Sequence, residues 1–152
     1  SENRYEGDTS KLIKKKIESS LHENLNIIFC IGETLSERKK GKTFFILRNQ
    51  IKNSIKKNFN LDKIIFSYEP VWSIGTNKIP KPGDLSKTTK FIKSEIKKIF
   101  NKKTEPTVLY GGSVNPKNIS LFSLIPDIDG FLIGSASQSA KNFIDIIKNY
   151  YK

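Results

Sequence analysis

The chain has 152 residues, 36% of them hydrophobic, which is the length and composition of one globular domain. No stretch reaches the roughly 18 consecutive apolar residues of a membrane-spanning helix, and the first residues are too polar for a signal peptide. We therefore expect a single domain over residues 1–152, located in the cytoplasm and without a membrane partner. The single cysteine, Cys30, cannot form an internal disulfide, which agrees with a reducing compartment. Because the chain begins at Ser1 and contains no methionine, we also expect an internal fragment of a longer protein.

The net charge of +12 raises the question of a nucleic-acid partner. Only Arg4, Arg38 and Arg48 among the 27 basic residues are arginines, whereas proteins that read bases and phosphates favour the rigid guanidinium group. The lysine runs, such as 14–16 and 97–98, fall on predicted helix surfaces. We therefore expect solvated lysines and no nucleic-acid partner, with at most a modest attraction of a small anionic substrate.

The first predicted element is a helix over about Thr9 to Leu21, and four short apolar runs come after it along the chain. These runs are too short for buried helices and are rich in β-branched or aromatic residues, so each predicts a strand. Their near-continuous apolar character favours a sheet that is covered on both faces. The runs are 27–31, 64–66 with Tyr68, 107–110 and 131–133.

Segments with helical periodicity separate the strands. One apolar stripe runs from Leu47 to Phe59, a second from Leu85 to Ile99, and a third from Phe143 to Tyr150. Asp8 and Asp84 are predicted N-caps, and Asn115-Pro116 predicts a helix with proline at its first position. The alternation of strands and helices predicts an α/β fold with parallel strands and right-handed crossovers.

Polar, glycine-bearing turns come after all four predicted strands: 32–34, 69–78, 111–113 and 134–137. In parallel α/β proteins ligands bind at the carboxyl ends of the strands, so the turns predict a single site on one rim. Gly111-Gly112-Ser113 and Gly134-Ser135 favour an anion, because glycine permits a close approach of the backbone and free N–H groups attract phosphate.

Glu69 stands at the end of the second predicted strand, and its residue type leaves two roles open. It could be the partner of a structural ion pair, or it could be a general base in a partly dry pocket. Trp72 nearby is more typical of packing or of a hinge, and His22 is more typical of a solvated side chain without a catalytic role.

Several of these segments together resemble the triosephosphate isomerase family. The segment 68–76 resembles the one that carries the family's catalytic base and the start of its mobile lid. Ser1-Glu2-Asn3-Arg4 resembles the segment directly after the family's catalytic histidine. Three more motifs occur in the family's order and spacing: 30–34, 110–114 and 129–134.

The resemblance implies that the chain is the C-terminal half of a (β/α)8 TIM barrel, with four parallel strands and flanking helices. It implies interconversion of dihydroxyacetone phosphate and glyceraldehyde 3-phosphate through an enediolate, with no cofactor and no metal. By the same resemblance Glu69 is the catalytic base, and the parent protein is a homodimer that acts on a small phosphorylated triose. The residues implied to bind the substrate phosphate are Gly75, Ser113, Gly134 and Ser135.

The resemblance also implies that 70–72 and 78–80 are the two hinges of a lid, that Tyr110 and Ser113 contact it, and that Glu2, Glu33 and Arg4 have structural roles. The chain departs from the family at Pro80, which we expect to stiffen the second hinge because proline fixes φ. It also departs at Ser135, which replaces a glycine and would be strained if that position requires a positive φ.

The family's catalytic histidine and first-strand lysine would lie before Ser1, so we expect this chain alone to be inactive. Two alternatives to the isomerase stay open: a half-barrel that binds phosphate without catalysis, and another barrel enzyme that acts on sugar phosphates. The Glu-Pro-Val-Trp segment at 69–72 argues against the latter, because phosphate binding alone does not require a base joined to a lid.

Overall fold

The computed structural model describes residues 7–100 and 105–152 of the chain. Glu2 and Arg4, for which the sequence predicts structural roles, lie outside the described residues. Four strands and six helices alternate along the described part of the chain. The strands are β1 (Ile27–Ile31), β2 (Ile64–Tyr68), β3 (Val108–Tyr110) and β4 (Gly130–Phe131). The helices are α1 (Ser10–His22), α2 (Leu35–Lys39), α3 (Thr43–Ser54), α4 (Pro82–Phe100), α5 (Ile119–Phe122) and α6 (Ala140–Tyr150).

The four strands form one parallel sheet in the order β1-β2-β3-β4. This confirms the predicted α/β class with parallel strands. In the register Ile31 lies beside Tyr68, and Tyr68 lies beside Tyr110, so the carboxyl ends of β1, β2 and β3 are level. The last strand is shorter than predicted and begins one residue earlier, at Gly130.

The helix starts correct three sequence predictions. Thr9, not Asp8, caps α1, because its side chain accepts a hydrogen bond from the Leu12 N–H. Asp84 lies inside the first turn of α4 and is not its cap, because that helix already begins at Pro82. Pro116 is not in the first turn of a helix either, because α5 begins three residues later at Ile119.

Two further helix predictions change. The helix α3 ends at Ser54, so Phe59 belongs to the connection between α3 and β2. The short helix α2 was not predicted. Its N-terminus is a capping box, in which Thr34 and Glu37 each accept a hydrogen bond from the other residue's backbone N–H.

The hydrophobic core lies between one face of the sheet and the helices. Phe29 and Ile31 of β1 point into this core and are buried, whereas Ile28, which precedes Phe29, is 48% exposed. The second face is therefore open at this position of β1, whereas Ser67 on the same face of β2 is fully buried, so in the described part of the chain the predicted cover on both faces is incomplete at the edge strand. No helix of the described residues is long and apolar enough to cross a membrane.

Charged side chains join the outer helices. Glu95 of α4 is almost fully buried and accepts hydrogen bonds from Arg48 (3.0 Å) and Lys98 (2.6 Å). Burial opposes the charged form of Glu95, but the two cations outweigh it and lower the pKa of this carboxyl. Arg48 also lies over the Phe91 ring, so α3 and α4 are held by both charge and packing.

Gln50 of α3 fixes the backbone at the end of β1. Its side-chain oxygen accepts from the Gly32 N–H at 2.9 Å, and its side-chain nitrogen donates to the Gly32 carbonyl at 2.9 Å. Both residues are buried, so no solvent can replace these bonds. The side chain of Gln50 therefore pairs the backbone N–H and carbonyl groups of the residue that directly follows β1.

Replacing Gln50 with leucine should destabilise the protein strongly. The variant keeps an apolar side chain of similar size but leaves two buried backbone groups of Gly32 unpaired, which costs about 2–4 kcal/mol of unfolding free energy. Chemical denaturation of wild type and Gln50→Leu measures this difference. Asn53→Ala, on the exposed side of the same helix, is the control, and equal losses in the two variants would contradict the assigned role.

Candidate active site

The carboxyl ends of the strands meet at one rim, where the hydrogen-bond ladder continues one step beyond the strands. The Glu69 N–H donates to the Ile31 carbonyl at 2.7 Å, and the Gly111 N–H donates to the Tyr68 carbonyl at 2.9 Å. The turns after β1, β2 and β3 are thus held side by side. Residues 70–80, directly after Glu69, form a segment that we name the β2 loop.

Glycine is required on both sides of Glu69. A Cβ atom on Gly32 would lie 1.8 Å from the Glu69 carbonyl oxygen, which no side chain tolerates. A Cβ atom on Gly111 would lie 2.6 Å from Cγ and 2.9 Å from Oε1 of Glu69. The Glu69 side chain therefore lies against bare backbone at the end of β3, and this packing restricts where its carboxylate can point.

The side chain of Cys30 also lies beside Glu69, and the sequence did not predict this neighbour. Its thiol forms a hydrogen bond to the Glu69 carboxylate, and burial, together with that negative charge, raises the pKa of Cys30 to about 12. The thiol therefore keeps its proton at neutral pH and can donate it to the carboxylate. The register of the sheet explains the contact, because Cys30 pairs with Ser67, two residues before Glu69.

The hydroxyl of Ser67 also lies beside Gly111. A Cβ atom on Gly111 would lie 2.7 Å from it. Within residues 7–100 and 105–152 this buried hydroxyl has no hydrogen-bond partner.

Glu33 anchors the start of the β2 loop. Its carboxylate is fully buried and accepts hydrogen bonds from the Tyr68 hydroxyl (3.1 Å) and from Nε1 of Trp72 (3.0 Å). Arg38 supplies the neutralising charge at 3.4 Å, and its guanidinium also lies 4.9 Å from the centre of the Trp72 ring. Burial, and next the charge of Glu33, raise the pKa of Tyr68, which keeps its hydroxyl a donor.

A cavity of about 470 Å³ opens between the β2 loop and the turns after β3 and β4. It brings together Gly75, Ser113, Gly134 and Ser135, the four residues that the resemblance implied for phosphate. Glu69 does not line the cavity itself but touches Gly111, which does. The lining is uncharged and consists of Ile74, Gly75, Asn77, Gly111, Gly112, Ser113, Val114, Asn115, Gly134, Ser135, Ala136 and Asn142.

Backbone conformation explains two of the lining residues. Gly75 and Asn77 have φ angles of +66° and +59°, in the left-handed region that glycine and asparagine tolerate. Ser135 is not among the described non-glycine residues with positive φ, so the expected strain at this position is absent. Ser135 instead begins a short 3₁₀ turn, Ser135–Gln138.

Asn77, Asn115 and Asn142 line the cavity without having been predicted from the sequence. Of these, Asn77 carried a signal, since asparagine in a glycine-bearing turn is typical of positive φ. Asn142 belongs to α6, and nothing in its local sequence indicates that it faces this cavity. The described residues hold no group of three or more histidine, cysteine, aspartate or glutamate side chains that could bind a metal ion.

Comparison with known proteins agrees with this geometry. The family model described as triosephosphate isomerase matches residues 1–150. The chain belongs to the triosephosphate isomerase family. The four parallel strands with their flanking helices are accordingly half of a TIM barrel.

Three curated triosephosphate isomerases illustrate the similarity. The protein of Geobacter metallireducens is 41% identical over 150 residues, which are 96% of this chain and 59% of the relative. The protein of Borrelia garinii subsp. bavariensis is also 41% identical, over 95% of this chain and 59% of the relative. The protein of Thermoanaerobacter pseudethanolicus is 39% identical, over 96% and 60%. The chain thus spans about three-fifths of the length of these relatives.

The protonated state of Cys30 should make it slow to alkylate. At pH 9.0, the ordinary pKa of this thiol type, half of an unperturbed thiol is ionised, whereas a pKa of about 12 leaves almost none ionised. Only the thiolate reacts, so alkylation by iodoacetamide should be roughly 10²-fold slower in the folded than in the denatured protein. Mass spectrometry of Cys30 over time measures both rates, and equal rates at pH 9 would contradict this environment.

Proposed function

We propose that the protein to which this chain belongs is a triosephosphate isomerase, which interconverts dihydroxyacetone phosphate and glyceraldehyde 3-phosphate. The observation that carries the proposal is the position of Glu69. This glutamate stands at the end of β2, against Gly111, and Gly111 lines a cavity with the four candidate phosphate-binding residues. A carboxylate beside an anion-binding cavity suits a reaction that moves a proton on a phosphorylated substrate.

The lining of the cavity supports the binding of a phosphate dianion. None of the described residues that line it is acidic, so no carboxylate among them would repel the anion. The turn at 134–137 presents backbone N–H groups at the start of a 3₁₀ turn. Ser113 lines the same cavity, and in this structure its hydroxyl and backbone N–H donate to Ser73. Neutral donors of this kind hold phosphate through hydrogen bonds without a metal ion or a cofactor.

The chemistry assigned to Glu69 is proton transfer between two neighbouring carbons. Its carboxylate would remove the proton from one carbon of the bound triose, which leaves an enediolate, and would return the proton to the other carbon. The Cys30 thiol beside it supports this role, because the thiol donates a hydrogen bond and limits the rotation of the carboxylate.

The rest of the proposed site belongs to the upstream part of the protein. By the family resemblance, a histidine would polarise the carbonyl of the substrate, and a lysine from the first strand would balance its charge. Within the described residues β1 and β4 each pair with one neighbour only, and Ile28 of β1 is about half exposed. These open edges support a barrel that the upstream half completes. A homodimer and a cytoplasmic location stay predictions.

Replacing Glu69 with glutamine in the full-length protein should remove most of the activity. The amide has the same shape but cannot accept the substrate proton, so turnover should fall by ~10²-fold or more, while the affinity for inorganic phosphate should change little. A coupled isomerase assay and phosphate inhibition measure the two effects. The control is Glu23→Gln, on an exposed connection. Near-normal turnover of Glu69→Gln would exclude this residue as the base.

This chain by itself should show essentially no isomerase activity. It lacks the expected electrophile, and a single donor to a developing oxyanion is typically worth ~10²–10³ in rate. The test is an assay of the purified chain before and after the upstream half is added as a separate polypeptide. We expect recovery on mixing, and none when this chain carries Glu69→Gln. Full activity of the chain alone would overturn the mechanism, and phosphate binding without activity after mixing would favour a non-catalytic role.

A further inference from the structure

Ser73 is the one residue of the β2 loop, besides Pro70 and Pro80, that is buried, although its neighbours in the loop are exposed or half-buried. We propose that Ser73 is a positioning residue whose hydroxyl latches the β2 loop over the cavity. The inference rests on the proposed function, since it assigns the latch to the same site. It concerns a side chain for which neither the sequence motifs nor the family resemblance gave a role.

The hydroxyl of Ser73 uses all of its hydrogen-bonding capacity. It donates to the Lys78 carbonyl at 2.5 Å and accepts from the Ser113 backbone N–H at 3.1 Å. The Tyr110 hydroxyl lies at 3.1 Å. Because a serine hydroxyl has one proton, which goes to Lys78, Tyr110 must be the donor in this third bond.

The protonation of Tyr110 agrees with that assignment. Burial raises the pKa of Tyr110 to about 12, although its hydrogen bond to Ser73 acts in the opposite direction. Its phenol is therefore protonated at neutral pH and can donate. Gly112 leaves room for the pair, because a Cβ atom there would lie 2.2 Å from the Tyr110 hydroxyl and 2.6 Å from that of Ser73.

These bonds connect both ends of the loop to the end of β3. At the second end of the loop the Lys78 carbonyl accepts from the Ser73 hydroxyl, so Ser73 joins this end to the first. The backbone of Ser73 takes part as well, since its carbonyl accepts from the Ser113 hydroxyl at 2.5 Å. The same Ser113 hydroxyl accepts from the Asn77 N–H at 3.1 Å.

The hydrogen bonds of Ser73 also affect the part of the β2 loop that lies between Ser73 and Lys78. Gly75 and Asn77 line the cavity and lie in the stretch that Ser73 and Lys78 enclose. Lifting the loop away from β3 would break the bonds from Tyr110 and Ser113 to Ser73 and leave buried polar groups unpaired. Ser73 therefore favours the position in which these two residues face the cavity.

The test is Ser73→Ala in the full-length protein. The variant keeps the small side chain and removes only the hydroxyl. We expect turnover to fall and KM to rise, so that kcat/KM drops about tenfold, the order expected for one or two lost buried hydrogen bonds. Inorganic phosphate should inhibit several-fold more weakly. Relaxation-dispersion NMR should show increased microsecond-to-millisecond exchange at the Asn77 amide.

Tyr110→Phe and the double variant test whether the hydroxyl pair acts as a unit. Tyr110→Phe keeps the ring against Phe122 and should reproduce part of the effect. The double variant should lose less than the two single losses combined, because both remove the same bond. Ser86→Ala is the control, since it removes a hydroxyl bond to Asp127 on the outer helix layer and should leave kcat, KM and exchange unchanged.

Unchanged kcat, KM and Asn77 exchange in Ser73→Ala, even with a lower unfolding midpoint, would overturn the latch and leave a merely structural serine. This outcome is distinct from failure of the proposed function, in which the wild-type protein itself would lack isomerase activity. In that case phosphate affinity and Asn77 exchange still decide the inference about Ser73.

Discussion

The buried carboxylate of Glu33 is the constraint on which the rim of the sheet depends. A fully buried charge is costly unless it is neutralised and hydrogen-bonded, so Glu33 requires partners from several elements. It finds them in Tyr68 of β2, Trp72 of the β2 loop and Arg38 of α2. Satisfying this one group holds the turn after β1 and the start of the β2 loop in fixed relation.

The backbone beside Glu33 is equally constrained. Gly32 touches the Glu69 carbonyl so closely that only glycine fits, and Gln50 satisfies the two polar groups of Gly32 from α3. These contacts fix the main chain at Glu69, and therefore the position from which its side chain extends. A base that must reach two carbons of one substrate benefits from a rigid backbone and from neighbours that limit its rotation.

The two halves of the site handle charge differently. Around Glu69 the neighbours are a protonated thiol and bare glycine backbone, and neither of them adds a charge to that of the carboxylate. In the adjoining cavity the described lining residues are uncharged glycines, serines, asparagines and apolar residues. This division suits a substrate with a carbon skeleton at one end and a phosphate at the other, which is the substrate class that we propose.

The sequence by itself determined the local elements and the rim on which the site lies. The runs at 27–31 and 64–68 are short and mostly apolar, so their strand character depends on local pattern; the sequence predicted the first with its bounds and the second as 64–66 with Tyr68. Glu69 and the glycine-bearing turns were placed together for the same reason, because parallel strands must end at one edge. Helix starts were less predictable, since Thr9, Asp8 and Pro116 each suit a cap or a turn, and the choice among them is settled by which backbone groups are left free in the fold.

Only the tertiary structure decided which side chains support that site. Gln50 and Gly32 are 18 residues apart, and Ser73 and Ser113 are 40 apart, so no local period relates them. Cys30 looked like an ordinary buried thiol until the register of β1 and β2 put it beside Glu69. Such pairings arise because packed elements bring specific polar groups within hydrogen-bond distance, and burial then requires each of those groups to find a partner.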